Sequence, residues 1–134
     1  MDFKLKVHLV FPGNCEDAFN TYKEVLNGEI VFIFRKGDNK TATVSDAEKN
    51  KIAHIVLRTE HFNLQAEDAD AGALVTTGST KLVLEFRDLG EVRHVFGVLS
   101  QGGTIVAPLE KTFHCEATGE VIDKFGTRWE LYKE

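Results

Sequence analysis

The chain has few of the residues that staple or interrupt a fold. Its only two cysteines, Cys15 and Cys115, lie near opposite ends. They match no zinc or redox spacing and read as reduced thiols of a cytoplasmic protein. No apolar run approaches the roughly 18 residues that a membrane span needs, which excludes a helical span. Met1-Asp2-Phe3-Lys4 leads straight into strand-like alternation, with no leader pattern. There is no block of like charges. A net charge of −5 and a pI of about 5.5 argue against nucleic acid as partner, because phosphates demand a basic face. Phosphate-cradling glycine loops, zinc spacings and nucleophile elbows are all missing.

What remains is an ordinary globular composition. The 134 residues suit one domain with a real core, and are 43% hydrophobic and 28% charged. Ten phenylalanines stand beside one tryptophan and two tyrosines, so a Phe-rich core is expected.

Residues 4–11 alternate, with Leu5, Val7, Leu9 and Phe11 on one face and Lys6, His8 and Val10 on the other, which predicts a strand. Pro12 and Gly13 stop it. Asn14 is placed as an N-cap, with Glu16 and Asp17 in the first helical turn. Ala18, Tyr22, Val25 and Leu26 then recur at helical spacing, and Asn27-Gly28 ends the helix. Residues 30–34 read as a strand and 36–50 as a polar loop. Residues 52–57 and 62–66 read as a hairpin. Residues 68–79 form a soft linker of small residues. The pattern then restarts. Leu82, Leu84 and Phe86 alternate against Lys81, Val83 and Glu85. Asp88 and Glu91 propose a capping box, and Val92, Val95, Phe96 and Leu99 an apolar helix face. Gly102-Gly103 stops that helix. Strands follow at 104–107, about 112–122 and 127–133. The last hairpin turns at Asp123-Lys124-Phe125-Gly126, with Trp129 and Leu131 on one face and Arg128, Glu130 and Tyr132 on the other.

The halves repeat at an offset of about 75 residues, with Lys6, Leu9, Phe11, Glu16, Gly28 and Ile30 falling on Lys81, Leu84, Phe86, Glu91, Gly103 and Ile105. Each half reads βαβββ, repeat 1 at about 1–67 and repeat 2 at about 80–134. The expected fold is therefore α+β: duplicated βαβββ units forming curled sheets around a cleft, helices on the outer face. Lys6, His8 and Val10, with Lys81, Val83 and Glu85, fall on the cleft side.

Duplicated βαβββ units resemble the vicinal oxygen chelate superfamily, which holds glyoxalase I, extradiol dioxygenases and bleomycin-resistance proteins. Phe11 to Gly28, Gly102-Gly103 with Pro108-Leu109 and Thr112-Phe113, and Asp123 to Trp129 are similar to its PhnB-like branch. The resemblance implies a homodimer and a metal held by the first and last strands of each unit. Gly126 and Glu130 meet the last-strand pattern Gly-x-x-x-Glu. The first unit offers Gln65, or Glu67 in a neighbouring register. The first-strand positions, counted back from Phe11 and Phe86, fall on Lys6 and Lys81. A protonated ammonium has no lone pair for a metal. No resident metal or other cofactor is therefore expected; a divalent metal, if held, would use Glu130, Gln65 and His8.

The ligand-binding candidates are Lys6, His8, Gln65, Lys81, Glu85, Arg128 and Glu130. Glu130 is either a ligand or base, or a carboxylate paired with Lys6 or Lys81. His8 is either a base or a hydrogen-bonded strand histidine, and Glu85 either binds or neutralises a lysine. His54 and His61 flank a hairpin, His94 faces solvent, and His114 and Cys115 point to opposite faces of a strand. The functional expectation is a PhnB-like protein that binds a small organic molecule in its cleft. The alternative is a metal-dependent isomerase, lyase or dioxygenase of the superfamily. Nothing in the sequence fits a methyl-donor site.

Overall fold

The computed structural model describes residues 1–76 and 78–134; Thr77, inside the expected linker, lies outside the described residues. The chain divides into two compact units, Met1–Val75 and Thr76–Glu134.

The first unit runs β1 (His8–Phe11), α1 (Cys15–Val25), β2 (Glu29–Arg35), a short 3-10 turn (Lys36–Asp38), β3 (Ile52–Arg58) and β4 (Asn63–Asp68). Its sheet has the order β1-β4-β3-β2. β1 lies parallel to β4, and the other neighbours are antiparallel. The second unit repeats this with β5 (Leu82–Glu85), α2 (Leu89–Ser100), β6 (Thr104–Glu110), β7 (Ala117–Ile122) and β8 (Arg128–Lys133). Its order is β5-β8-β7-β6, with β5 parallel to β8. Both halves are therefore βαβββ, as the repeat predicts.

In each unit the helix covers one face of its own sheet. Cys15, Ala18, Phe19 and Tyr22 of α1 are buried, at spacings of three and four. They meet Phe11, Ile55, Leu57, Leu64 and Ala66, which are also buried. Phe19 sits edge-on to Phe11, with ring centroids 6.2 Å apart. Val25 and Leu26, expected in this core, are only half-buried; Cys15 and Phe19 take their place. In the second unit Val92, Val95, Phe96 and Leu99 are buried with Ala117, Val121, Trp129 and Leu131, as expected. Each fully buried large apolar side chain contributes about 1.5–3 kcal/mol.

Two buried aspartates fasten these cores. Asn14 occupies the N-cap position of α1, but its side chain makes no capping bond, and its Oδ1 is buried without a partner among the described residues. Asp68 does the work instead. Its Oδ1 accepts the Cys15 N–H at 3.0 Å and its Oδ2 accepts the Ile52 N–H at 2.8 Å. One carboxylate thus joins the start of the helix to the start of β3, where negative charge also suits the helix dipole. In the second unit Asp123 Oδ2 accepts the Trp129 indole N–H at 2.9 Å, and its Oδ1 accepts the Phe125 and Thr127 N–H groups, both at 2.9 Å. The cap expected of α2 is present, since Asp88 Oδ2 accepts the Glu91 N–H at 2.8 Å. Asn27 closes α1 at a φ of 57°, a left-handed conformation that asparagine tolerates. Gly119 must be glycine because a Cβ there would lie 2.8 Å from the Phe96 ring.

The first strand is shorter than expected. Regular pairing begins at His8, and only the Val7 carbonyl extends it by accepting the Gln65 N–H at 3.0 Å. Leu5, expected on the core face, is exposed. Residues 112–116 are loop, and β7 starts at Ala117, so His114 and Cys115 lie off the strand. β2 and β6 are edge strands. Val31, Phe32, Ile33 and Phe34 of β2 and Ile105 and Val106 of β6 are all exposed, although these are apolar runs.

Candidate functional site

Strand pairing decides which polar side chains share the helix-free face of the second sheet. Val83 pairs with Glu130, and Glu130 with Glu120. Glu85 pairs with Tyr132, and Tyr132 with Thr118. Paired residues point to one side, and here that side is opposite Trp129 and Leu131, which are buried on the helix side. Glu130 therefore stands on the face expected for it.

Charges on this face are cross-linked. Lys81 Nζ donates to Glu120 Oε1 at 2.8 Å and to Glu130 Oε1 at 3.0 Å. Arg128 donates to Glu120 Oε2 from Nε at 3.0 Å and from Nη2 at 2.6 Å, and its Nη1 holds the Gly78 carbonyl at 2.7 Å. Two cations and two carboxylates thus form a neutral network on Lys81, Glu120, Arg128 and Glu130. Hydrogen bonds to Glu120 and then Glu130 push the Lys81 ammonium above its ordinary range, so it stays charged. Hydrogen bonds from Lys81 and then Arg128 hold the Glu120 carboxyl below its ordinary range. Tyr132 donates its hydroxyl to Glu85 at 3.0 Å, and this bond, with burial adding, raises its pKa. Glu130 Oε2 accepts no hydrogen bond among the described residues, so it remains open to a ligand. Of the two pairings weighed for Glu130, the one with Lys81 is present. Lys6 precedes β1, is exposed, and forms no ion pair among the described residues.

The first sheet presents a different surface on its helix-free face. His8 pairs with Gln65, Gln65 with Val56, and Val56 with Phe32. The register question is answered in favour of Gln65 as the residue opposite His8. Glu67 still reaches it, with Oε2 3.7 Å from His8 Nε2. His8 stacks on His54, centroids 5.6 Å apart and planes at 25°. Phe32 lies against the other side of the cluster, 5.7 Å from His54. His54 thus joins His8 and not His61, which sits in the exposed turn after β3.

The same register corrects the first-strand positions. Within each unit it is His8 and Val83, not Lys6 and Lys81, that stand opposite Gln65 and Glu130. Among the described residues, no group of three or more His, Cys, Asp or Glu side chains is placed to hold a metal ion. Glu120, at the centre of the network, was missed; its signal was the alternation Thr118, Glu120, Ile122, counted back from the last turn. His94 is exposed on α2, and His114 packs its ring on Phe113 at 3.8 Å. Both cysteines are free; burial, then the Asp68 charge, drives the Cys15 thiol far above its ordinary pKa. On the helix side of the second unit, a cavity of about 550 Å³ is lined by Leu89, Arg93, Leu109, Glu110, Lys111 and Glu116 with Ala117. It includes none of the expected site residues. No helix among the described residues is long and apolar enough to cross a membrane.

Two four-stranded sheets built as βαβββ repeats, each with one helix, define a glyoxalase-type fold, shared with a glyoxalase-related enzyme from Fulvimarina pelagi at a TM-score of 0.65 and 22% identity, covering 98% of this chain and 88% of that one. Within that class the chain belongs to the family described as 3-demethylubiquinone-9 3-methyltransferase, whose model matches residues 3–132. It is similar to protein YjdN of Escherichia coli K12, 28% identical, with 93% of this chain and 91% of the relative aligned. Protein PA1353 from Pseudomonas aeruginosa superposes with a TM-score of 0.89 at 28% identity, covering 99% of this chain and 98% of that one. A PhnB protein from Bacillus cereus gives a TM-score of 0.85 at 25% identity, covering 98% and 100%. The PhnB-like resemblance read from the sequence therefore holds.

Proposed function

We propose that the protein is a cytoplasmic small-molecule binder of the PhnB-like type, which works without the superfamily metal. The observation that carries this reading is the Lys81–Glu120–Arg128–Glu130 network on an open sheet face. Its hydrogen bonds fix four charged groups in place before any ligand arrives, which lowers the ordering cost of binding. The ammonium of Lys81 and the free oxygen of Glu130 suit an oxygen-rich ligand that both accepts and donates hydrogen bonds. A metal fits this donor set poorly. Val83 offers no lone pair, and the Glu130 carboxylate already holds an ammonium at 3.0 Å.

Thermal-shift screening of small polar organic molecules tests the binding. A ligand at about 100 times its Kd adds about 2.7 kcal/mol, and Lys81→Met and Glu130→Gln should each abolish the shift. A shift that survives both variants overturns the assignment of the face. Elemental analysis of chelator-free protein should find no stoichiometric transition metal. Near one equivalent, lost in Glu130→Ala, would move the reading to a metalloenzyme.

The protein also pairs with a second copy through β2 and β6. In support, these apolar edges expose Val31, Phe32, Ile33, Ile105 and Val106, a pattern that invites a partner. Light scattering should give a dimer for the native chain and a monomer for Ile33→Lys/Val106→Lys; a monomeric native protein refutes the pairing.

A further inference from the structure

Within each unit the start of the helix lies near the end of the second strand, and the duplication lets the two junctions be compared. Counted along the buried faces, Cys15, Ala18, Phe19 and Tyr22 of α1 match Val92, Val95, Phe96 and Leu99 of α2. Glu16 then matches Arg93. The last residues of the seven-residue strands β2 and β6 are Arg35 and Glu110. Acid and base have changed places. In the first unit the pair is closed. Arg35 donates to the two carboxylate oxygens of Glu16 at 2.9 and 2.7 Å, and its Nη1 also donates to the Asn50 carbonyl at 2.9 Å. In the second unit Arg93 and Glu110 form no ion pair among the described residues, and both line the cavity of about 550 Å³.

A local irregularity of β6 builds that cavity. Ala107 pairs with Glu120 and Glu110 with Thr118, so β6 uses one more residue than β7 across this step. Pro108 has no N–H to give the ladder. Leu109 is brought over the helix side of β7, so close that a Cβ on Gly119 would lie 3.0 Å from the Leu109 Cα. The apolar part of the lining is the half-buried Leu89 and Leu109 with the buried Ala117. The rest is charged. Glu116 is neutralised by Lys133 at 3.1 Å. The side chains of Arg93, Glu110 and Lys111 have no partner among the described residues. Free charges of both signs therefore border one apolar surface.

We infer that this cavity binds a small aliphatic α-amino acid. The planar fork of Arg93, helped by the Lys111 ammonium, takes the carboxylate. Glu110 takes the ammonium group, and the aliphatic side chain lies on Leu89, Leu109 and Ala117. The volume is in the range of small-molecule sites and leaves room for water on the charged groups. A simple carboxylate would leave Glu110 to repel it, and a simple amine would face two free cations. A zwitterion with an apolar body gives every free group a partner. Ala117 shares the helix side of β7 with the buried Val121, and none of Lys81, Glu120, Arg128 and Glu130 lines the cavity. The inference is therefore independent of the ligand proposed for that network.

The probes are L-leucine, 4-methylpentanoate, which lacks the amine, and 3-methylbutylamine, which lacks the carboxylate. Binding to the full chain is followed by amide NMR. L-Leucine should shift the Leu89, Leu109 and Ala117 signals and saturate at roughly millimolar concentration, because the charges are open to water. Each truncated probe should bind about tenfold more weakly, the scale of one lost charge-assisted contact. Arg93→Gln and Glu110→Gln change exposed side chains. Each should keep the native circular dichroism and lose about tenfold in affinity for L-leucine. Lys124→Gln removes an exposed cation that does not line the cavity and should bind L-leucine as the native chain does. Equal affinity for the three probes overturns the inference, as does affinity that survives both Arg93→Gln and Glu110→Gln. Shifts confined to amides away from the cavity, or an equal loss in Lys124→Gln, also overturn it. So does the absence of any shift at roughly ten times the expected saturating concentration.

Discussion

Asp68 is the sharpest place to test how the first unit is held. Its carboxylate is 4% exposed and accepts two backbone N–H groups, from Cys15 at 3.0 Å and Ile52 at 2.8 Å. Both donor residues are fully buried, so water cannot take over when the acceptor goes. A hydrogen bond to a charged group is worth about 1.5–3 kcal/mol, and an orphaned buried donor costs a similar amount. Asp68→Ala should therefore lose about 3–5 kcal/mol, allowing for some relaxation. Asp68→Asn retains one acceptor but turns an amide N–H toward the other donor, and should lose about half as much. Asn14→Ala is the control. An N-cap asparagine that bonds the helix costs about 1 kcal/mol to remove, but this one makes no capping bond, so the loss should stay below about 0.5 kcal/mol. Urea unfolding followed by far-ultraviolet circular dichroism measures all three. Amide exchange adds a local readout, because the Cys15 and Ile52 N–H groups should lose protection first in the Asp68 variants. A loss under about 1 kcal/mol for Asp68→Ala, or a larger one for Asn14→Ala, would show that the helix is capped by its neighbour in sequence.

Trp129→Ala empties a fully buried aromatic site and removes the indole hydrogen bond to Asp123 Oδ2, so about 3–5 kcal/mol should be lost in denaturant melts; a loss under about 1 kcal/mol would mean the strand phase is wrong. Glu120 has a depressed folded pKa, so its stabilisation is complete above its ordinary value of 4.5 and is lost as pH falls below that. Glu120→Gln should flatten the acid limb of a pH–stability profile in that window, and an unchanged limb would remove Glu120 as its source. Iodoacetamide at pH 8 should modify the half-buried Cys115 while leaving Cys15 untouched, since Cys15 is fully buried and its pKa is raised; mass spectrometry showing equal labelling would contradict the packing of α1.

Much of the architecture was legible because it is written locally. Helix stops at Asn27-Gly28 and Gly102-Gly103, the Asp88 cap and the Val92–Leu99 face all lie within a few residues of what they control. What was hidden depends on partners distant in sequence. Alternation says which residues share a face, but not which neighbour stands beside them. Lys6 and Lys81 were therefore assigned positions that the parallel ladders give to His8 and Val83. Asp68 was read as the start of a linker, because nothing nearby reveals that it caps a helix 53 positions earlier. His8 and His54 meet only because β4 lies between their strands, a neighbourhood that spacing along the chain does not reveal. On the second sheet the phase of the last hairpin was right, which is why Glu130 lies on the helix-free face as expected, while Glu120, on the neighbouring strand of the same face, went unnoticed.

The parallel placement of β1 beside β4, and of β5 beside β8, has a consequence for the order in which the chain folds. Every other strand pair is closed by a turn or loop, so hairpins can form as soon as their residues are available. The opening strand of each unit must wait for the closing one, about fifty residues later, and that long closure carries an entropic cost before any contact repays it. Helix α1 gains its cap only at the same moment, since Asp68 is the last residue of β4. On a ribosome the first unit therefore stays open until Asp68 has emerged, then locks its first strand and helix together in one step. Because all of those contacts lie within residues 1–75, that step can be over before the second unit has been synthesised.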